Sequence, residues 1–227
     1  MSDPLSVSDA LRRRISTRAF LDTPVREQTV RDLLGTARWA ASGGNVQPWH
    51  VHVVAGEARQ RVIDAVRERL EAAPFEDESE FGAYPPKLWE PYRTRRFELG
   101  EQMYDTLGIP REDKAGRLNQ MLRNFEFFDA PVGLFFSLDE RMNPNQWGHL
   151  GMFIMAFMLA AEEQGLATCA QEAWMTRHKT VATTLGLPDE QRIWCGMALG
   201  HADPDAPVNT LRSERAPVEE FAVFAGF

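Results

Sequence analysis

Val30, Leu33, Leu34, Ala37 and Ala41 recur at the spacing of one helical face, which predicts an amphipathic helix over residues 26–40. Beyond Pro48 the run WHVHVVA sets Trp49, Val51 and Val53 against His50, His52 and Val54, the two-residue period of a strand. A helix over about 58–70 follows, and helical sequence returns over 96–128 with a break at Gly108-Ile109-Pro110. Pro131 introduces a short strand, VGLFFSL. Residues 146–164 then form an apolar central helix, followed by LATCAQ, a helix over 177–185 and a buried strand, IWCGMALG, ending at Gly200. This alternation, without repeats or low-complexity tracts, predicts one α+β domain over residues 1–227.

Two segments stand apart from that pattern. Residues 74–110 open on an acidic, then proline-punctuated, then basic stretch, which predicts an excursion or lid that is mobile or packs on the outside. Residues 203–227 carry three prolines and little periodicity, so they predict an arm that needs another surface to lie on. The apolar run 150–161, LGMFIMAFMLAA, is shorter than the roughly 20 residues of a membrane span. A helix apolar on nearly every side calls for cover by a large core or by a second subunit.

Composition narrows the partners. A formal charge of -8 over 227 residues argues against a nucleic-acid surface, and 44% hydrophobic residues suffice for a full core. The start MSDPLSVSDALRRR lacks the apolar run of an export signal, so a cytoplasmic protein is expected. Cys169 and Cys195 sit singly in apolar runs, as reduced core thiols do. His50 and His52 lack a third ligand at useful spacing and read as packed or exposed strand residues, with no metal expected. Glu162 and Glu163 read as the solvated end of the apolar helix, and Met152, Met155 and Met158 with Phe153 and Phe157 as core or interface packing.

The chemistry gathers in two stretches. LRRRISTRAF concentrates Arg12, Arg13, Arg14 and Arg18 around Ser16, guanidinium forks and a hydroxyl suited to a phosphate, although the same stretch also suits a solvated basic face. Arg212 and Arg215 in the tail LRSERAP offer a second basic site for the same anion. ASGGNVQPWH, residues 41–50, leaves a helix through two glycines, which allow close backbone approach while Asn45 and Gln47 supply amides. An ordinary helix-to-strand turn would look alike.

Taken together and in order, RRISTRAF, AASGGNVQPWHVHVV, GLATCAQEAW and SERAP resemble the FMN-dependent nitroreductase family over nearly the whole chain, and the ending is similar to its nitrobenzoate-reductase-like branch. The resemblance implies a nitroreductase-like fold, a central mixed or antiparallel sheet flanked by helices, in an intertwined homodimer whose 203–227 arm packs on the partner. It implies FMN held by Arg14, Ser16 and Arg18 with Arg215 reaching in, and Ala41, Ser42 and Gly43 of one subunit lying against the flavin of the other. Asn45 and Gln47 would anchor that loop or touch the cofactor, and the backbone of Gln171, Glu172 and Ala173 would face the flavin. Ala41 stands where many members have proline, Ile15 where a polar residue is common and Ala173 where glycine is frequent. A further flavin contact before Asp129 falls to either Arg123 or Asn124.

The implied activity is ping-pong transfer of electrons from NADH or NADPH through bound flavin to an electron-poor acceptor such as a nitroaromatic or quinone, with no catalytic side chain. Phe81, Tyr84 and Trp89 in residues 75–95 would line a substrate lid. The alternatives are a flavin-binding storage or sensor protein without turnover, and a reductive dehalogenase or flavin-destroying enzyme on the same fold.

Overall fold

Four strands, β1 (His50–Ala55), β2 (Val132–Asp139), β3 (Ala167–Gln171) and β4 (Gln191–Gly200), form a sheet of order β1-β2-β4-β3. The computed structural model describes residues 5–74, 76, 78, 79 and 82–227, and every strand pair among them is antiparallel, so the mixed alternative for the sheet falls away. β2 reads as an unbroken apolar run because residues 132–138 are buried on both faces. Val132, Leu134, Phe136 and Leu138 pack with Met197 and Leu199 against α2 (Glu27–Ala37) and α6 (Pro144–Glu163). On the other face Phe135 and Ala198 meet Val62, Ile63 and Val66 of α3 (Gly56–Ala72) and Val181 of α7 (His178–Leu185).

Two glycines let aromatic rings lie directly on that second face. A Cβ at Gly196 would come within 2.1 Å of the Trp174 ring, and one at Gly133 within 2.4 Å of Phe127. Trp174 and Phe127 are 4.5 Å apart, with Phe135 edge-on to both. The three residues leading into β2, Phe127, Phe128 and Asp129, all have positive φ (55°, 51° and 67°), a left-handed run that costs energy in residues other than glycine. Complete burial of both phenylalanine rings opposes that cost.

The helices follow the sequence pattern with informative differences. α1 (Val7–Arg13) starts at Ser6, whose Oγ accepts from the Asp9 amide at 3.1 Å. α2 buries Val30, Leu33 and Ala37 as expected but stops at Ala37, so Ala41 is exposed and off the stripe. α4 (Tyr92–Thr106) already begins inside the excursion and buries no residue, and α5 (Lys114–Leu122) follows the break at Gly108. α6 buries Phe153, Phe157 and Met158 in the core, whereas Met152 is 47% exposed and Met155, Ala156 and Leu159 are half-buried along the other side. Cys169 and Cys195 are free and buried, and His52 is packed, its Nε2 3.0 Å from Gln191 Oε1.

Two expectations need correction. Glu162 does not end in solvent: its side chain is largely covered and lies 3.4 Å from Arg13 Nε. Nor is the excursion wholly peripheral. Glu78 is buried, its carboxylate accepting from the Thr180 amide at 2.9 Å and the Thr180 hydroxyl at 2.6 Å, so it caps the exposed donors at the start of α7 from outside the helix. Arg177 reinforces the join by donating to the Glu76 carbonyl, and Arg69 pairs with Glu76.

Candidate functional site

Arg14 follows α1, where the chain turns from helix into extended backbone, and the next residues run beside β3: the Thr17 amide donates to the Thr168 carbonyl at 3.0 Å. The tail returns to the same place. Asn209 accepts from the Arg18 amide at 2.9 Å and donates to the Ala19 carbonyl at 2.9 Å, which carries the following residues, Arg215 among them, back toward Arg14. Arg14, Ser16, Arg18 and Arg215 thus border one cleft of about 530 Å³, with Leu99 and Met155 supplying apolar walls. Arg12 and Arg212 also reach it, whereas Arg13 turns away to Glu162. The predicted arginine cluster is therefore split, and the tail arginines do converge on its inner part.

The electrostatics of this cleft ask for an anion. Burial first, and then the charge of Arg215, lower the pKa of Arg14, only partly opposed by Glu162. The buried Nε of Arg14 has no hydrogen-bond partner among the described residues. Arg18 donates to the Ser16 carbonyl at 3.2 Å, and Arg215 to Ser213 Oγ at 2.6 Å and the Ser213 carbonyl at 2.9 Å, so these cations are held by neutral oxygens rather than carboxylates. An ordinary structural cluster would neutralise its charge with acids. Such a cleft is able to take a phosphate-bearing ligand through charge-assisted hydrogen bonds.

The 41–47 loop is placed elsewhere in the chain. None of Ala41, Ser42, Gly43, Asn45 or Gln47 borders the arginine cleft. The Gly43 amide lies 3.3 Å from His149 Nε2 on α6, and a Cβ on Gly43 would meet His149 at 3.1 Å, so close approach is what this glycine provides. Gly44, Asn45 and Gln47 all have positive φ (58°, 56° and 50°). Ser42 Oγ accepts from the Gln47 amide at 3.0 Å and Gln47 Nε2 donates to the Asn45 carbonyl at 3.2 Å, so the amide side chain of Gln47 anchors the loop to itself.

At the far end of β3, Gln171 is buried with its amide committed to the Asn124 carbonyl at 2.7 Å and to Trp174 Nε1 at 3.3 Å. Ala173 is half-buried against the second core cluster. Arg123 stands 3.5 Å from the Arg18 carbonyl and pairs with Asp129 at 2.6 Å, while Asn124 serves Gln171. Glu172 turns toward a separate cleft of about 320 Å³ walled by Trp147, Trp194 and Met175. Neither tryptophan is marked by motif or spacing in the sequence. Asn209 is another residue without a local signal, because its contacts reach back 191 positions.

A family model described as the nitroreductase family matches residues 11–201. The chain belongs to the nitroreductase family. Among the relatives of this nitroreductase-family protein, it is 42% identical to the nitrobenzene nitroreductase of Ectopseudomonas oleovorans, over 96% of each chain. It is 37% identical to the 4-nitrobenzoate reductase of Pseudomonas putida, over 100% of this chain and 98% of that one. The crystal structure of the FMN and NADPH-dependent nitroreductase NfnB from Sphigopyxis sp. strain HMH superposes with a TM-score of 0.96 at 44% identity, covering 98% of this chain and 100% of the other. No helix of the described residues of this family member is long and apolar enough to cross a membrane.

Proposed function

We propose that this protein is an FMN-dependent, NAD(P)H-consuming nitroreductase that works as a homodimer in the cytoplasm. The observation that carries the cofactor is the buried Nε of Arg14, without a partner among the described residues, beside the cation of Arg215, a donor set that fits a phosphate monoester. Arg14, Arg18 and Arg215 would hold the phosphate and Ser16 would add a hydroxyl. Arg14 and Arg18 are near enough to β3 to act on the Cys169 thiol, and the strand ends beside Glu172; its five residues at ~3.3 Å each separate its ends by roughly 13 Å, a span that suits an extended ligand. When bound, FMN supplies the electron-accepting and electron-donating centre, and the protein needs no side-chain nucleophile. The residues orient and hold; NADPH is the donor named for the NfnB enzyme, and nitroarenes are named for the relatives.

A second subunit accounts for what one chain leaves uncovered. Trp39 beside the 41–47 loop is 81% exposed, and Phe221, Val223, Phe224 and Phe227 at the end of the arm are all open. Met152, Met155 and Leu159 add a half-covered stripe on α6. In this proposal the loop of one subunit completes the flavin site of the other, and the arm packs on the partner. Residues 74–110 act as the lid: Tyr84 and Trp89 are exposed, while Phe75 and Phe81 lie outside the described residues.

The test is the absorbance spectrum of the purified protein, identification of any flavin released on denaturation, and anaerobic titration with NADPH and NADH. A yellow dimer bleached by a nicotinamide and recoloured by a nitroarene is expected. A colourless monomer that refuses added FMN sinks the proposal.

A further inference from the structure

The cleft at Glu172 holds an uncompensated charge in an aromatic setting. Glu172 is open to solvent at the cleft mouth, yet has no hydrogen-bond or ion-pair partner among the described residues, and desolvation against the wall raises its pKa. In the same cleft the Trp147 and Trp194 rings meet edge to face at 6.5 Å. The 320 Å³ volume and apolar walls are those of a small-molecule site. Ser79, Gly82 and Ala83 from the excursion close one side, so access depends on that segment.

The cations around this cleft are committed. Arg192 donates to Glu140 at 2.6 Å, and His178 Nε2 bonds the Glu78 carbonyl at 2.6 Å. Cys195 is near enough to feel the Glu172 charge, and its buried thiol is neutral, with its pKa pushed up to about 12. Residues 73–84 contain no lysine or arginine. A negatively charged ring substituent entering here meets the Glu172 carboxylate, while the Arg192 and His178 side chains that line the cleft already hold other oxygens among the described residues; a neutral nitroarene needs only the aromatic walls.

We propose that this cleft seats the ring of the electron acceptor and that Glu172 makes it select neutral nitroarenes over rings that carry a carboxylate. This rests on the proposed reductase activity and adds its specificity. Two like charges in a half-solvated cleft correspond to about tenfold in kcat/KM, the equivalent of ~1.4 kcal/mol.

The experiment compares nitrobenzene with 4-nitrobenzoate as acceptors for the flavin-loaded wild type and Glu172→Gln, with one donor, across pH. The wild type is expected to favour nitrobenzene by about tenfold. Glu172→Gln should shrink that ratio severalfold through the KM for 4-nitrobenzoate. In the wild type alone, kcat/KM for 4-nitrobenzoate should rise as the pH falls through the ionisation of Glu172. A wild-type ratio near one, or a ratio the substitution leaves unchanged, overturns the proposal. Equilibrium quenching of tryptophan fluorescence by the same two compounds, with Trp194→Phe as control, answers the question without turnover. Tighter binding of nitrobenzene that depends on Trp194 supports the cleft even if reductase activity is absent, and equal or reversed affinity refutes it.

Discussion

Arg14 and Arg215 face one cleft as two like charges, and the buried Nε of Arg14 has no acceptor among the described residues. A folded chain that retains such a pair gains stability from whatever anion joins them. Inorganic phosphate or FMN should therefore raise the melting temperature of flavin-free protein more than sodium chloride of equal ionic strength, the added stability reaching ~2.7 kcal/mol at a hundred times the Kd. Replacing Arg14 by Ala should weaken FMN binding by roughly 1.5–3 kcal/mol, ten- to a hundredfold, read by flavin fluorescence titration. Equal stabilisation by chloride and phosphate would count against a phosphate site.

Gly196 is where the sheet admits Trp174, and an added Cβ would sit 2.1 Å from its fully buried ring. Gly196→Ala should cost about 2–3 kcal/mol of folding stability. Gly151→Ala is the matched control, since its Cβ would meet only the edge of Trp194 at an ordinary 3.8 Å. Denaturant unfolding of the two variants checks the difference, and similar midpoints would show that Trp174 moves aside freely.

What the sequence made legible depended on how local each cause is. α6 and β2 announce themselves because burial writes a continuous apolar run, and Arg14, Ser16 and Arg18 because the arginine-serine-arginine spacing is short. The end of α2 was less legible: Ala41 continues the apolar period although the helix has already stopped at Ala37. Glu78 looked like one acid in an acidic excursion, since its burial comes from Thr180, a hundred residues away. Trp147 and Trp194 share a cleft only through the packing of α6 on β4, which no spacing within either segment encodes.

Burial pushes the thiols of Cys169 and Cys195 up to about 11 and about 12, so neither supplies thiolate near neutrality. An aromatic disulfide reagent should find no reactive thiol in the native protein and both of them, Cys169 and Cys195, after denaturation. Rapid native-state reaction of either would place it at a surface the fold does not give it.

His178 makes the joint between the excursion and α7 sensitive to pH. Burial lowers its pKa below the ordinary 6.5, and Arg192 acts in the same direction, while the Glu78 carbonyl bond and carboxylate act against them. A folded pKa below the unfolded one means that the folded chain binds fewer protons between the two values, so stability rises with pH across that window. The contribution is complete above 6.5 and is lost progressively as the pH falls below it. His178→Gln keeps an N–H that can reach the Glu78 carbonyl but cannot titrate. Denaturant unfolding from about pH 5 to 8 should therefore show a wild-type stability that climbs more steeply than that of His178→Gln, with the curves parallel above neutrality. Parallel curves throughout would mean that His178 carries its proton equally well folded and unfolded.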